Sequence, residues 1–308
     1  MFKATDKIED YTFEENTSEE STSVGIIGCG WLGKALAINL LAKNISVLAT
    51  SSKLENVTQL NQQSISAQQL TLPAEATQLG QHDVFTKQSL VIAITPQFRQ
   101  ERTDYAEKIT QLVNAAQQRG LVQRIILLSS TAIYDGLAGT VDEESLLNMT
   151  TAKVQILNAA EQAVLNFSKQ EAKQEAKQGI VIRLAGLVGP ERHPGKFILA
   201  NKTLSNSTAP VNLIHQQDAV GLIEALLQSP FSQTIFNGVS DTHISKQQYY
   251  QAAAKAIKVD APIFAQENCI QEKCTQEKSN EISRVVRGDK AKQVLSYKFV
   301  YPNLLTWL

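Results

Sequence analysis

Three glycines near the start of the chain are spaced so that they could bind a phosphate. They are Gly28, Gly30 and Gly33 in the stretch SVGIIGCGWLGKALA, where an apolar run precedes them and an amphipathic segment follows. In a strand–turn–helix unit, the first glycine makes the tight turn, the second lets a pyrophosphate approach the backbone, and the third lets the helix pack closely on the strand. The helix N-terminus then presents N–H groups and a positive dipole end to the phosphates. The predicted pyrophosphate-binding residues are Gly28, Cys29, Gly30, Trp31, Leu32 and Gly33.

The end of the second apolar run bears on which dinucleotide would bind. A carboxylate at this place usually hydrogen-bonds the ribose 2′-hydroxyl of NAD. The residues here are Thr50, Ser51, Ser52 and Lys53, which gives hydroxyls followed by a cation. This pattern favours a 2′-phosphate, and therefore NADP as the cofactor. NAD is the alternative, because Glu55 could reach back to the ribose.

Short apolar runs that alternate with helical segments must position these residues, and this alternation is typical of a parallel sheet covered on both faces. The predicted strands span Ser23–Gly28, Ile45–Thr50, Ser89–Thr95, Arg124–Ser130 and Gly179–Gly186. The predicted helices span Trp31–Lys43, Arg99–Arg119 and Lys153–Gln178. The fold class is therefore predicted to be α/β, a Rossmann-type doubly wound parallel sheet. Thr95 and Pro96 end a strand at the edge where ligands of such sheets bind, so they are predicted to contact the cofactor.

Composition argues against several kinds of partner. Twenty-nine basic and 30 acidic residues give a net charge of −1, which provides no strong field for nucleic acid or an anionic membrane. No apolar run approaches the roughly 20 residues that span a bilayer, and the N-terminus lacks the pattern of a signal peptide. The predicted location is therefore cytoplasmic. Cys29, Cys269 and Cys274 fit neither a disulfide framework nor a usual zinc spacing, so no metal site is predicted.

The chain is predicted to divide into three parts. Residues 1–22 are rich in acids, Ser and Thr and are predicted to form a mobile tail. Residues 23–188 form the predicted NAD(P)-binding domain, and residues 189–308 a smaller subdomain that covers the substrate. Within the latter, residues 234–240 are predicted to return to the main sheet, and residues 265–282 to form a loop insertion. Ser245 and Gln248 have the spacing of a capping box, which predicts a helix start.

Three further segments, LLSSTAIYDG, RLAGLVGPER and NLIHQQDAV, have an order and spacing that resemble the extended short-chain dehydrogenase/reductases. The resemblance is to the NAD-dependent epimerase/dehydratase family, in particular its atypical branch with a Gly-x-Gly-x-x-Gly fingerprint. It implies an oxidoreductase or epimerase that uses a nicotinamide cofactor and a substrate of the nucleotide-sugar or small carbonyl type. By this resemblance, Ser130 is the active-site hydroxyl that bonds the reacting oxygen of the substrate, and Thr131 is its neighbour.

The chain departs from this family at the residues that move the proton. Family members carry a Tyr-x-x-x-Lys pair on the next helix, which exchanges a proton while hydride is transferred. None of the seven tyrosines here has a lysine four positions on, and matching the helix puts Lys153 and Leu157 at the two places. Ala132 and Ile133 replace the Asp-Glu pair of the dehydratase members, which disfavours dehydration of a sugar.

Other side chains are candidates for the proton donor. Tyr134 follows the fifth strand, Lys153 opens a helix and Tyr105 lies on the helix after ITPQFR. Packing is the alternative role for Tyr134, and solvent exposure for Lys153. His215 and Asp218 lack a nucleophile that would complete a catalytic triad.

Two functions stay open on the sequence alone. One is an NAD(P)-dependent oxidoreductase or epimerase-like enzyme with a nonstandard proton relay around Ser130. The other is a catalytically silent protein that senses NAD(P) and regulates a partner. Arg192 and His193 lie where relatives bind substrate phosphate, a role that suits an arginine, and a solvated loop is the alternative. The expected partner is a small molecule, and a homodimer is left open as the assembly.

Overall fold

The computed structural model describes residues 22–169, 177–197, 203–265 and 283–308. Its strands are β1 (Ser23–Ile27), β2 (Ser46–Ser51), β3 (Ala67–Gln69), β4 (Ser89–Ile92), β5 (Arg124–Ser130), β6 (Gly139–Val141), β7 (Gln178–Leu184), β8 (Gly186–Val188), β9 (Leu213–His215), β10 (Thr234–Gly238) and β11 (Arg284–Val286). Its helices are α1 (Trp31–Ala42), α2 (Leu54–Gln62), α3 (Ala76–Gln81), α4 (Tyr105–Arg119), α5 (Ala152–Leu165), α6 (Gln216–Leu227), α7 (Lys246–Ala256) and α8 (Asp289–Val294).

Seven strands form one parallel sheet in the order β10-β7-β5-β4-β1-β2-β3. From β1 the chain passes outward through β2 and β3, then crosses to β4 on the other side of β1 and continues outward to β10. The strand order therefore reverses between β1 and β4, and this reversal opens a crevice at their carboxyl ends. The predicted doubly wound α/β fold is confirmed.

Burial on both faces explains why the central strands are almost wholly apolar. Every residue of β4 is buried, as are all but the end residues of β5. Parallel strands need this composition because crossover helices cover both sides of the sheet. On one face α1 packs beside α6, and on the other α4 packs beside α5.

Two predicted helices are shorter in the structure. The helix predicted from Arg99 begins at Tyr105, because Gln97 and Glu101 have φ angles of +55° and +56°, which a right-handed helix does not allow. The helix predicted to reach Gln178 ends at Leu165 and continues as a single 3₁₀ segment, Asn166–Lys169. Most of its repetitive charged extension, residues 170–176, lies outside the described residues.

The second half of the chain contributes to both the main sheet and a smaller core. β10 pairs with β7 and forms one edge of the main sheet, and α6 lies against α1, with an ion pair of 3.0 Å between Lys43 and Glu224. α7 begins at the expected capping box. A separate small core contains Val188, Val211, Tyr249 and Leu304. The tail up to residue 21 and nearly all of the predicted loop insertion, residues 266–282, lie outside the described residues. Among the helices that are described, none has the length and apolar character needed to cross a membrane.

Candidate functional site

The three glycines of the first turn differ in what surrounds them. Gly28 has a φ of +90°, and a Cβ there would lie 2.8 Å from the Ile94 side chain, so the turn packs tightly on the end of β4. A Cβ on Gly33 would lie 3.2 Å from the carbonyl oxygen of Gly28, which makes this the close helix–strand contact. A Cβ on Gly30 would meet no heavy atom within 4 Å. The backbone at Gly30 therefore faces open space that a ligand can occupy.

Backbone amides at the start of α1 face the same space. The amides of the two residues before α1 already have acceptors. The N–H of Cys29 donates to the carbonyl of Thr50 at 2.7 Å, and the N–H of Gly30 donates to the carbonyl of Gly28 at 2.8 Å. The first N–H to bond within the helix is that of Lys34, which donates to the Gly30 carbonyl. The amides of residues 31–33 precede this bond and have no acceptor within the helix. They form an anion-binding end of positive potential.

Two cavities meet over this turn. The β2 cavity, of about 560 Å³, extends past the end of β2, and the β5 cavity, of about 390 Å³, extends to the end of β5. Both are lined by Gly28, Gly30 and the segment 93–95. A molecule with two arms joined by a pyrophosphate matches this arrangement, since each arm would enter one cavity while the phosphates lie at the helix N-terminus.

Most of the predicted site residues lie in these walls. The β2 cavity is lined by Cys29, Thr50, Ser51 and Ser52. The β5 cavity is lined by Trp31, Leu32, Gly33, Pro96 and Ser130. Both cavities are lined by Gly28, Gly30 and Thr95. Lys53, Thr131 and Tyr134 line neither. Lys53 is exposed at the start of α2, and its backbone N–H donates to Ser51 Oγ at 3.3 Å. The β2 end therefore presents hydroxyl groups, and the lysine side chain lies outside the wall.

The β2 cavity also contains polar residues that the sequence analysis did not identify. Asn56 donates to Ser51 Oγ at 3.3 Å, and Arg102 and Lys108 line the wall contributed by the segment after β4. None of the residues that line this cavity is a carboxylate. The left-handed residues at 97 and 101 turn this segment around a short 3₁₀ helix, Phe98–Gln100. No signal in the sequence predicts that turn, so the two cations could not be placed in the wall.

Hydroxyl groups dominate the polar wall of the β5 cavity. Ser130 Oγ accepts a hydrogen bond from the N–H of Ala132 at 3.1 Å, so its own hydrogen is directed elsewhere and can be donated to a ligand. Ser129 Oγ donates to Glu161 Oε1 at 2.6 Å. The residues that line this cavity include no Asp, Glu, His, Lys, Tyr or Cys. Among the described residues of its wall, Arg192 is the one ionisable group, and arginine does not release a proton at neutral pH.

Arg192 closes the outer side of the β5 cavity by stacking on Trp31. Its guanidinium carbon lies 4.3 Å from the centre of the indole ring. Trp31 Nε1 donates to the carbonyl of Pro190 at 3.0 Å, and Gln216 Nε2 donates to the carbonyl of Trp31 at 3.1 Å. The second half of the chain thus fixes the first residue of α1 and brings a cation beside the anion-binding end.

The alternative proton donors lie away from the two cavities. Tyr134 is fully buried; its hydroxyl donates to Asn237 Oδ1 at 2.8 Å and accepts from Arg183 at 2.9 Å, and burial raises its pKa. Lys153 forms an ion pair with Asp135 at 2.9 Å. Tyr105 is buried, which raises the pKa of its hydroxyl. None of the three candidates, Tyr134, Lys153 and Tyr105, lines either cavity.

His215 and Asp218 have separate structural roles. His215 Nδ1 accepts from the N–H of Gln217 at 3.2 Å and so caps α6, and burial lowers the pKa of the imidazole to about 4. Asp218 accepts from the N–H groups of Val300 and Tyr301 at 2.6 Å and 3.0 Å, which fastens the C-terminal segment. Neither residue lines the two cavities.

Cys29 is suited to packing. It is buried, and burial raises the pKa of its thiol to about 11, so the reactive thiolate is not populated at neutral pH. Cys269 and Cys274 lie outside the described residues. Within the described ranges, no three His, Cys, Asp or Glu side chains come together as a metal site would require.

Sheet order, glycine turn and paired cavities together define a Rossmann-type doubly wound α/β fold with a cavity on each side of the turn. A family described as NADP oxidoreductase, coenzyme F420-dependent, matches residues 23–122, which contain the turn and the β2 cavity wall. The chain is similar to the protein YeeZ of Escherichia coli K12, with 28% identity over 285 residues that cover 92% of this chain and 97% of YeeZ.

Solved structures share the fold along most of the chain. One is the UDP-glucose 4-epimerase of Thermotoga maritima with UDP-glucose, which has a TM-score of 0.72 and 11% identity and covers 90% of this chain and 94% of its own. Another is the UDP-glucuronic acid 4-epimerase of Bacillus cereus with UDP-glucuronic acid and NAD. Its TM-score is 0.69 at 15% identity, again with 90% of this chain and 94% of its own covered. The resemblance that the sequence motifs indicated is therefore confirmed at the level of the fold.

Proposed function

We propose that this protein is an NADP(H)-dependent oxidoreductase or epimerase. Its substrate would be a carbonyl compound, or the corresponding alcohol, with an anionic group; a nucleotide sugar is an example. The observation that carries the proposal is the pair of cavities that meet over the open backbone of Gly30. The adenosine half would occupy the β2 cavity, and the nicotinamide half the β5 cavity beside Ser130. The structure of the B. cereus epimerase contains a nucleotide sugar and NAD, which supports ligands of these two kinds for this fold.

NADP is proposed over NAD because of the groups at the end of β2. Thr50, Ser51 and Ser52 offer hydroxyls where NAD-preferring chains usually offer a carboxylate. A carboxylate there would repel a 2′-phosphate, whereas hydroxyl groups can donate hydrogen bonds to it.

Two residues of the β5 cavity wall, Ser130 and Arg192, can be assigned chemical roles. When bound, the nicotinamide ring supplies or accepts a hydride at the carbon of the substrate. Ser130 would donate its hydrogen to the reacting oxygen and polarise the carbonyl. Its Oγ accepts one bond, from the N–H of Ala132, and keeps a second lone pair that can accept from water. Arg192, held by Trp31, would bind the anionic group of the substrate. The proton that accompanies the hydride would be exchanged with water through the Ser130 hydroxyl, since the lining residues include no carboxyl, imidazole, amine or phenol.

A Gly30→Val variant tests the binding part of the proposal. Because the space at Gly30 is open and its φ is −87°, outside the left-handed region, the variant should fold while its side chain occupies the phosphate position. We expect titration calorimetry to show NADPH binding to the wild type and a loss of at least about tenfold in affinity in the variant. Gly80→Ala on α3 is the control and should bind NADPH normally. Absence of heat with NADPH, NADP, NADH and NAD in the wild type would refute the proposal.

Turnover is tested with nucleotide sugars and small carbonyl compounds, by following the absorbance of NADPH for reduction and the sugar product for epimerisation. Ser130→Ala should lower kcat by about 10²–10³-fold, the usual effect of removing one donor to a developing oxyanion, and should leave NADPH affinity unchanged.

The second candidate function is that of a catalytically silent NADP(H) sensor, which the lack of an acid–base group among the β5 cavity residues favours. A sensor would bind NADPH and turn over no compound of the panel. Its partner would then bind differently to the NADPH-loaded wild type and to Gly30→Val, which pull-down with each nucleotide present would measure.

A further inference from the structure

Two cations of the β2 cavity have no part in the function as described so far. Arg102 and Lys108 both line the wall contributed by the segment after β4 and the first turns of α4. Asp104 lies between them. Arg102 donates to its carboxylate through Nε at 3.3 Å and Nη2 at 2.6 Å, and Lys108 Nζ lies 2.9 Å from Asp104 Oδ2.

This trio carries a positive charge toward the cavity. The two cations hold the pKa of Asp104 well below its usual range, so the carboxylate stays ionised and the three groups have a net charge of +1. Asp104 takes two of the five N–H donors of Arg102 and one of the three of Lys108. The carboxylate thus fixes both side chains in place and leaves them with donors for a second anion. The Lys108 side chain is 14% exposed, and the Arg102 side chain is 42% exposed.

Topology determines which anion can reach these groups. β1 forms the floor of the crevice, β2 borders it on one side and β4 on the other. The phosphates that bridge the two arms belong at the N-terminus of α1, where amides 31–33 are available. An anion deeper in the β2 cavity, between the hydroxyls of Ser51 and Ser52 and the cations of the β4 side, must therefore lie on the adenosine arm.

We propose that Arg102 and Lys108 bind the 2′-phosphate of the adenosine ribose and thereby give this chain its preference for NADP over NAD. This inference rests on the proposed function, because it needs the adenosine half in the β2 cavity. It differs from the expectation based on sequence, in which Lys53 supplied the charge. Lys53 is exposed and does not line the cavity, whereas the pair from the β4 side does.

The experiment compares adenosine 2′,5′-bisphosphate with adenosine 5′-monophosphate by titration calorimetry on the full chain, since these probes differ only in the 2′-phosphate. We expect the wild type to prefer the bisphosphate by at least about tenfold, in keeping with one or two charge-assisted hydrogen bonds. In Arg102→Gln/Lys108→Gln the preference should fall to about twofold or less. Affinity for the monophosphate should stay unchanged, which also shows that the variant is folded. Lys53→Gln is the matched control and should keep the wild-type preference.

Three results would overturn this inference while leaving nucleotide binding intact. The first is a wild type that binds both probes equally. The second is a double variant that keeps its preference, or a Lys53→Gln variant that loses it. The third is an equal loss of affinity for both probes in the double variant, which would place the cations at the 5′-phosphate. If the wild type instead binds neither probe and no pyridine dinucleotide, it is the proposed function that fails.

Discussion

Arg183 on β7 and Glu161 on α5 form a fully buried, two-point ion pair, with Nη2–Oε2 at 2.8 Å and Nε–Oε1 at 3.2 Å. Ser129 donates to the same carboxylate, and the Tyr134 hydroxyl accepts from the same guanidinium. This network joins the floor of the β5 cavity to the helix behind it. It also explains why Tyr134, a candidate proton donor from the sequence, has its hydroxyl committed inside the protein.

The ion pair leads to a prediction about stability. Arg183→Met should lower the free energy of unfolding by about 3–5 kcal/mol, because it leaves the Glu161 carboxylate buried without its cation. Urea denaturation measures the loss. The double variant Arg183→Met/Glu161→Leu should lose less than Arg183→Met alone, since no charge is then buried unpaired. A loss below about 1 kcal/mol in the single variant, the range of exposed pairs, would contradict this account.

His215 predicts a dependence of stability on pH. Burial lowers its pKa from 6.5 to about 4, so between these values the unfolded chain takes up a proton that the folded chain does not. The contribution of His215 to stability is therefore complete above about pH 6.5, falls by up to about 3 kcal/mol as the pH drops to 4, and is constant below that. Denaturation at a series of pH values should show a smaller decline for His215→Asn, which keeps a cap for α6. Parallel curves for the two proteins would show that this group does not titrate as described.

Gly33 should be the sensitive glycine for folding, in contrast to Gly30. A Cβ on Gly33 would lie 3.2 Å from both the Gly28 carbonyl oxygen and the Ile26 side chain. Gly33→Ala should therefore destabilise the protein by about 1–3 kcal/mol through overpacking. Gly30→Ala, which adds the same methyl group in open space, should change thermal stability by less than about 0.5 kcal/mol. Thermal unfolding of the two variants is a direct comparison, and equal melting temperatures would contradict the packing described here.

The capping box at the start of α7 gives a fourth stability test. Ser245 Oγ accepts from the N–H of Gln248 at 3.2 Å, and Gln248 Oε1 accepts from the N–H of Ser245 at 3.3 Å. Ser245→Ala should cost about 1 kcal/mol, whereas Ser245→Asp should cost little because aspartate also caps a helix. Urea denaturation distinguishes the two. A Ser245→Ala variant as stable as the wild type would mean that the cap contributes nothing.

Local sequence patterns were enough to predict which strand ends and which turn line the two cavities. The glycine turn, the hydroxyls at the end of β2 and Ser130 all line the cavities, because strand ends and the first turn of α1 follow from apolar runs and glycine spacing. α6 was missed, since its apolar positions follow a polar stretch and its packing on α1 depends on distant parts of the chain. Arg102 and Lys108 were missed for a different reason: their place in the wall depends on two left-handed residues, Gln97 and Glu101, that are not glycines.

The bonds that Trp31 makes with Pro190 and Gln216 bear on how the molecule could be divided. Pro190 and Gln216, from the second half of the chain, hold the N-terminus of α1 through these bonds. From the same half, β10 adds a strand to the main sheet and α6 packs on α1. A fragment cut at residue 188 would therefore expose the edge of β7 and the side of α1 that α6 covers. The two halves depend on each other for their shape, and exchanging one of them for that of a relative would require preserving the two bonds of Trp31 and the packing of α6 and β10.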